Sequence, residues 1–266
     1  MATFGFIGTG NMGGALARAA RKRLSGDQIL LSNRTAEKAR LLAEELDCRA
    51  ADNAAIAENA DFIFLGVKPQ MMPDLMLELR PILAGRRSPF ILVTMAAGLT
   101  IRRIQDMAGG SFPVIRIMPN TPASIGEGMI LYACGEGVAK DEESAFLDAM
   151  AGAGRFSPLP EKLIDAGSAV SGCGPAFVDL FLEALADGGV ACGLPRAAAL
   201  EYAAQMVAGS ARLALESGKH PGALKDAVCS PGGTTIQGVR KLEEAGFRGA
   251  VMNAVIAAYE KNADLK

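Results

Sequence analysis

The sequence predicts an α/β protein in which a doubly wound, largely parallel sheet is followed by an all-helical half. Short runs of β-branched, aromatic and aliphatic residues alternate with helical segments up to residue 160. Several of those runs are apolar throughout, as strands buried on both faces are. From Glu161 onward, strand signals give way to Ala-rich helical segments. The expected division is therefore residues 1–160 and residues 161–266.

The candidate strands are Thr3–Ile7, Ile29–Ser32, Phe62–Val67, Phe90–Thr94, Val114–Met118 and Met129–Ala133. A helix is expected to start near Gly14, and another covers Ala36–Leu46 with Thr35 as its N-cap. In the second half the helices are Pro175–Val190, Pro195–Glu216, Pro221–Val228, Thr235–Glu244 and Arg248–Asn262. Pro195 and Pro221 suit first-turn positions, where a missing N–H costs nothing, and Gly193 and Gly218 suit helix ends. Small residues at Gly188, Gly189, Ala191 and Gly193 let helices approach closely. These helices carry more apolar surface than one small domain buries, which predicts a dimer built by helix packing.

Composition narrows the class. The 266 residues include 27 basic and 29 acidic side chains, for a net charge of −2, and half are hydrophobic. Such a chain folds into a globule. Interspersed signs exclude the basic face that non-specific nucleic-acid binding needs, and the cluster Arg18, Arg21, Lys22 and Arg23 reads as a solvated helix face. The longest uncharged stretch, Ser88–Ile101, falls short of the roughly 18 apolar residues of a membrane span. The first residues run straight into a strand without a signal-peptide pattern, so a cytoplasmic protein is expected. Five cysteines, with no C-x-x-C and one His in the chain, predict reduced thiols in small apolar spaces and no metal site.

Two segments carry chemistry. Gly8-Thr9-Gly10-Asn11-Met12-Gly13 fits G-x-G-x-x-G between a strand and a helix. The first glycine permits the tight turn, the second lets a pyrophosphate approach the backbone, and the third lets helix and strand pack. The second strand ends Ser32-Asn33-Arg34-Thr35, without the acid that would bond an NAD ribose. Hydroxyls, an amide and a guanidinium donate to a phosphate, so NADPH is expected over NADH, against the alternative that Arg34 is a surface residue at a helix start. Further contacts are expected where other strands end, at Val67-Lys68-Pro69, Ala96-Ala97 and Asn120.

The second segment is Ser230-Pro231-Gly232-Gly233-Thr234-Thr235, which enters a helix continuing Ile236-Gln237. Its spacing fits a capping box with Thr234 as N-cap and Gln237 reaching back. It fits equally a carboxylate site, with glycines opening backbone N–H groups and Thr235 offering a hydroxyl to the same ligand. His220, before Pro221, reads as a loop or capping residue. Hydride transfer from a nicotinamide requires neither a metal nor a catalytic His.

Over nearly its whole length the chain resembles the pyrroline-5-carboxylate reductase family. The resemblance rests on Gly8–Met12, Val67–Gln70, Met118–Pro122, Ser171–Phe177, Ala184–Val190, Gly193–Arg196 and, above all, His220–Thr235. It implies NAD(P)H-dependent reduction of L-1-pyrroline-5-carboxylate to L-proline, the last step of proline biosynthesis. It also implies a Rossmann-like domain followed by a helical dimerisation domain, with dimers often assembled into a decamer. By motif, Gly8–Gly13 would hold pyrophosphate, Ser32–Arg34 the adenosine phosphate, and Asn53 with Val67–Pro69 the ribose. Ala96 and Ala97 would line the nicotinamide, with Glu161 a further cofactor contact. Ser230, Gly232, Gly233 and Thr234 would hold the substrate, and Thr235 would bond its ring nitrogen as the catalytic residue. Ala227, where some relatives carry Asn, departs from the pattern, as does Thr94-Met95 before the Ala96-Ala97 pair. A β-hydroxyacid dehydrogenase would instead carry a catalytic Lys after its second-domain glycines, and none follows Gly172-Cys173-Gly174 here.

Overall fold

Alternation decides which face each strand residue takes. In the computed structural model, which describes residues 2–263, Phe62 and Phe64 enter one buried layer while Ile63 and Leu65 enter the other. The parallel register sets Phe4 opposite Phe62 and Phe6 opposite Phe64, so their rings stack at 4.7 and 4.3 Å. A sheet covered on both faces needs such unbroken apolar runs.

The elements run β1 (Phe4–Ile7), α1 (Asn11–Arg21), β2 (Ile29–Ser32), α2 (Ala36–Leu46), β3 (Arg49–Ala50), α3 (Asn53–Asn59), β4 (Phe62–Leu65), α4 (Met72–Gly85), β5 (Ile91–Thr94), α5 (Ile101–Ala108), β6 (Val114–Met118), β7 (Gly128–Cys134), α6 (Lys140–Met150) and β8 (Gly154–Pro158). There follow α7 (Ile164–Ser171), α8 (Gly174–Ala191), α9 (Arg196–Ser217), α10 (Pro221–Ala227), α11 (Thr234–Glu244) and α12 (Phe247–Ala263). The strand order β3-β2-β1-β4-β5-β6-β7-β8 begins with the doubly wound order of dinucleotide-binding sheets.

Several expectations need correction. The sheet is not wholly parallel, because β7 runs antiparallel to β6. The connection over 119–127 is too short for a crossover back to a parallel neighbour, which takes about a dozen residues. Two strands were not expected: β3, a two-residue exposed edge, and β8, which ends in Pro158 at the other edge. Neither has the long apolar run that marks a central strand. Helix α1 begins at Asn11 rather than near Gly14. Thr35 is the N-cap of α2, but its side chain makes no capping bond. The basic cluster is more than a solvated face: Arg18 grips Glu45 with two 2.7 Å bonds, and Arg21 donates to the Leu46 carbonyl at 2.6 Å, tying α1 to the end of α2. Cys48 and Cys134 pack against the core, whereas Cys192 is exposed.

The chain divides into two compact units, residues 1–173 with 258–266, and residues 174–257. In the first unit, α7 packs on β7, and Arg116, 2% exposed on β6, donates to Asp165 of α7 at 2.6 Å. In the second, α8 and α9 lie against each other. A Cβ on Gly189 would come within 3.1 Å of the Ala199 Cβ, so this glycine sets the approach.

Candidate active site

The strand order reverses between β1 and β4, and a crevice opens there at the strands' carboxyl ends. Gly8 turns the chain out of β1 with φ +94°, and its N–H donates to the Ser32 carbonyl at 2.8 Å. A Cβ on Gly8 would press into the Gly66 backbone, and one on Gly13 would overlap the Gly8 carbonyl oxygen. Gly10 differs, since a Cβ there meets nothing within 4 Å and would project into the crevice. Gly10 is also the N-cap of α1, so the N–H groups of Asn11, Met12 and Gly13 have no carbonyl one turn back. This is a cradle for an anion that approaches the backbone closely.

The crevice has a volume of about 720 Å³ and is lined by Gly8, Gly10, Asn33, Arg34, Asn53, Val67 and Lys68, all expected, together with Lys38, Gln70, Asp74 and Glu78. Among the described residues, the side chains of Arg34, Lys38 and Lys68 make no hydrogen bond or ion pair. Three cations converging without protein partners suit a ligand with several phosphates. Ser32 lines an adjoining cavity that shares Asn33, Arg34 and Asn53. The residues present therefore fit a dinucleotide carrying an extra phosphate.

The other expected cofactor residues lie outside the crevice lining. Thr9 is buried, and its hydroxyl has no hydrogen-bond partner among the described residues. Pro69 opens the single turn Pro69–Met71 after Lys68. Ala96 is buried just past β5, with Ala97 beside it. Asn120 bridges Ser171 O and Met129 N–H, both at 2.9 Å. Glu161 accepts from the Ile101 N–H at 2.6 Å and stands 3.5 Å from Arg116. It lines a separate cavity of about 770 Å³. That cavity also holds Tyr132, Cys134 and Glu143. Burial, aided by Glu143, pushes Tyr132 up to about 12 and Cys134 up to about 11, so this thiol stays protonated and is no nucleophile at neutral pH.

In the helical unit, Gly233, not Thr234, is the N-cap of α11, and no side-chain cap forms. Gln237 bonds Arg240 instead, so the expected capping box is absent. The loop is held by Gly233 N–H donating to Ser230 O at 3.0 Å, and a Cβ on Gly233 would collide with the Ser230 hydroxyl. With the Gly233 N–H spent, the open donors are those of Thr234, Thr235 and Ile236 in the first turn. Ser230, Gly232, Thr234 and Thr235 are exposed. His220 is the N-cap of α10, its Nδ1 accepting from the Gly222 N–H at 3.1 Å, as expected of a capping residue. Among the described residues, no group of three or more His, Cys, Asp or Glu side chains is placed to hold a metal.

Sequence reasoning passed over Lys38 and Glu78. Lys38 had a signal, lying one helical turn beyond Arg34. Glu78 had none, since only the packing of α3 and α4 brings it to Asn53.

Residues 161–265 match the family model described as pyrroline-5-carboxylate reductase dimerisation, and residues 3–98 match that described as NADP oxidoreductase, coenzyme F420-dependent. A pyrroline-5-carboxylate reductase from Pisum sativum is 40% identical over 99% of this chain and 96% of its own. Among solved structures, one from Coxiella burnetii has a TM-score of 0.91 at 31% identity, covering 100% of this chain and 98% of its own. One from Plasmodium falciparum, with NADP bound, has a TM-score of 0.86 at 31% identity, covering 99% and 98%. With a Rossmann-like sheet, a phosphate-ready crevice and full-length relatives at this identity, the chain belongs to the pyrroline-5-carboxylate reductase family.

Proposed function

We infer that this protein reduces L-1-pyrroline-5-carboxylate to L-proline, the last step of proline biosynthesis, and that NADPH is its preferred reductant over NADH. Family membership supports the reaction. The observation that carries the cofactor preference is the unpartnered Arg34 and Lys38 beside Asn33 where β2 ends, with no acid following that strand to bond an NAD ribose.

The nicotinamide, when bound, would supply the hydride that turns the CH=N carbon of the imine into the ring CH2 beside the amine nitrogen of proline. The chain's own residues supply position. Gly8 and Gly10 with the first turn of α1 hold the pyrophosphate, Arg34 and Lys38 the 2′-phosphate, and Asn53, Val67, Lys68 and Pro69 the ribose region. Ser32 and Asn33 complete the adenosine end, and Ala96 and Ala97 leave room for the ring. In α11 the N–H groups of Thr234 and Thr235 take the substrate carboxylate, where the helix dipole favours negative charge. The Thr235 hydroxyl accepts from the protonated imine nitrogen and so fixes the orientation of the ring. Positioning of this kind is worth several kcal/mol (~7 or more) where reacting atoms are held in near-attack geometry. Glu161 and Asn120, also expected as cofactor contacts, are held by hydrogen bonds to the Ile101 N–H and to Ser171 O and the Met129 N–H.

The functional unit is proposed as a homodimer, with dimers assembling into a decamer, in the cytoplasm. One stretch, 161–191, is long and apolar enough by length and composition alone to cross a membrane, and little of it is buried. Its match to the dimerisation model favours a second subunit over lipid as its cover. The test is NADPH oxidation followed by absorbance, with pyrroline-5-carboxylate and with a β-keto acid as control. Oxidation with the imine alone, yielding proline, is expected; tight NADPH binding without imine turnover would point to a non-catalytic cofactor-binding protein.

A further inference from the structure

At the adenosine end of the crevice three side chains form a chain of hydrogen bonds. The Ser32 hydroxyl, buried, donates to Asn53 Oδ1 at 2.6 Å, and Asn53 Nδ2 donates to both Glu78 oxygens at 3.2 and 3.3 Å. The direction of this chain is chemically forced. A carboxylate accepts only, so the Asn53 amide must turn its nitrogen to Glu78, which leaves its carbonyl oxygen facing Ser32. Amide oxygen cannot donate, and the Ser32 proton is therefore committed to Asn53. Toward the cavity it shares with Arg34, Ser32 presents lone pairs only.

A lone pair suits a ribose hydroxyl, which can donate, and does not suit a phosphate, which needs donors. We propose that Glu78 is a positioning residue for cofactor choice: acting through Asn53, it holds Ser32 as an acceptor and so restrains the preference for a 2′-phosphorylated nucleotide that Arg34 and Lys38 create. This rests on the reading of the crevice as the NAD(P)H site. Glu78 lines the crevice beside Asn53, is not among the residues expected to contact the cofactor, and is exposed on α4, so its replacement leaves the core intact.

The test is the ratio of NADH to NADPH dissociation constants, measured by cofactor fluorescence. A Gln at 78 can either accept from or donate to the Asn53 amide, which frees the amide to flip and Ser32 to donate. Glu78→Gln is expected to tighten NADPH by about tenfold, the worth of one added hydrogen bond to a charged group, with NADH changed by less than about twofold. Removing a negative charge alone would also favour NADPH, so the same substitution is made in an Asn53→Ala background. There the gain is expected to vanish. A gain of equal size with and without Asn53 overturns the relay in favour of plain charge repulsion, and an unchanged ratio in both Glu78→Gln and Glu78→Ala overturns it outright. Arg34→Ala separates the two levels: if it leaves NADPH binding intact, the crevice reading itself fails, whereas weakened NADPH with a ratio indifferent to Glu78 removes only this proposal.

Discussion

The two units of the chain use apolar residues in opposite ways. In the sheet unit every residue of β1, β2, β4, β5 and β6 is buried. In residues 174–257, Ala186, Ala199 and Ala203 are the hydrophobic side chains buried, while Leu180 and Leu215 stand 70% and 72% exposed, with Tyr202, Met206, Leu213 and Met252 also open. A patch of this kind on a folded domain marks an association surface. The first unit is thus complete as a single chain, whereas the second has its apolar surface still to bury, in line with the dimerisation model it matches. Exposed ion pairs occur in both units, Arg18–Glu45 among them in the sheet unit, and the enclosed one lies in the sheet unit. Arg116 is enclosed with Asp165 and Glu161, but Arg196–Asp187 and Arg248–Glu243 in the helical unit are exposed on both sides.

The largest effect should come from breaking the enclosed pair. Arg116→Met leaves two carboxylates without their cation and is expected to cost about 3–5 kcal/mol of stability. Arg248→Met, removing a solvent-screened pair, should cost less than about 1 kcal/mol. Urea midpoints of the two variants check this, and equal shifts would dissolve the distinction between an interior and a surface in waiting.

Next in size is a change that stability does not see. Thr235 is exposed in the first turn of α11, so Thr235→Ala should leave the thermal midpoint in place. Turnover should nonetheless fall by about 100-fold, the usual cost of losing one aligned polar group at a reacting centre, with NADPH affinity nearly constant. Turnover that survives would remove Thr235 from the chemistry and leave α11 a merely open helix end.

How much of this was legible before folding depended on range. Central strands and the Gly8–Gly13 turn were readable because alternation, apolar runs and glycine spacing are local signals. The edge strands were not: Arg49–Ala50 is two exposed residues held by pairing with β2. The antiparallel turn of β7 depends on a connection length that acquires meaning only when β6 is in place. At the site, Gly8, Gly10, Arg34 and Lys68 were found by motif and do line one crevice, while the direction of the Ser32–Asn53–Glu78 chain depends on three elements meeting. The Thr234 capping box failed because Gly233 already had the extended backbone an N-cap needs, moving the helix start one residue earlier than a Thr234 cap allows in register.

A smaller change tests the crevice itself. Arg34→Ala should weaken NADPH by about tenfold, as for the loss of a charge-assisted hydrogen bond, and NADH by less than about twofold. Isothermal titration with both cofactors reads the difference. Equal weakening would mean that Arg34 shapes the crevice generally and that the 2′-phosphate is read elsewhere, with Lys38 the next residue to replace.

The smallest effect concerns alkaline pH and belongs to the sheet unit. Burial pushes the Cys48 and Cys134 thiols up from 9.0 to about 11. An unfolded chain begins to lose these protons near pH 9, while the folded chain keeps them until near pH 11. The unfolded state therefore binds fewer protons in that window, and stability must fall as pH rises through it, having been fully present below. Both thiols are only half-buried, so the slope is shallow. Thermal midpoints taken from neutral pH to pH 11 should decline above 9, and Cys48→Ala with Cys134→Ala should flatten that decline. Cys192→Ala, at an exposed position in the helical unit, should leave the decline as it was; a flattening by Cys192→Ala instead would place the alkaline weakness at the open surface rather than in the closed core.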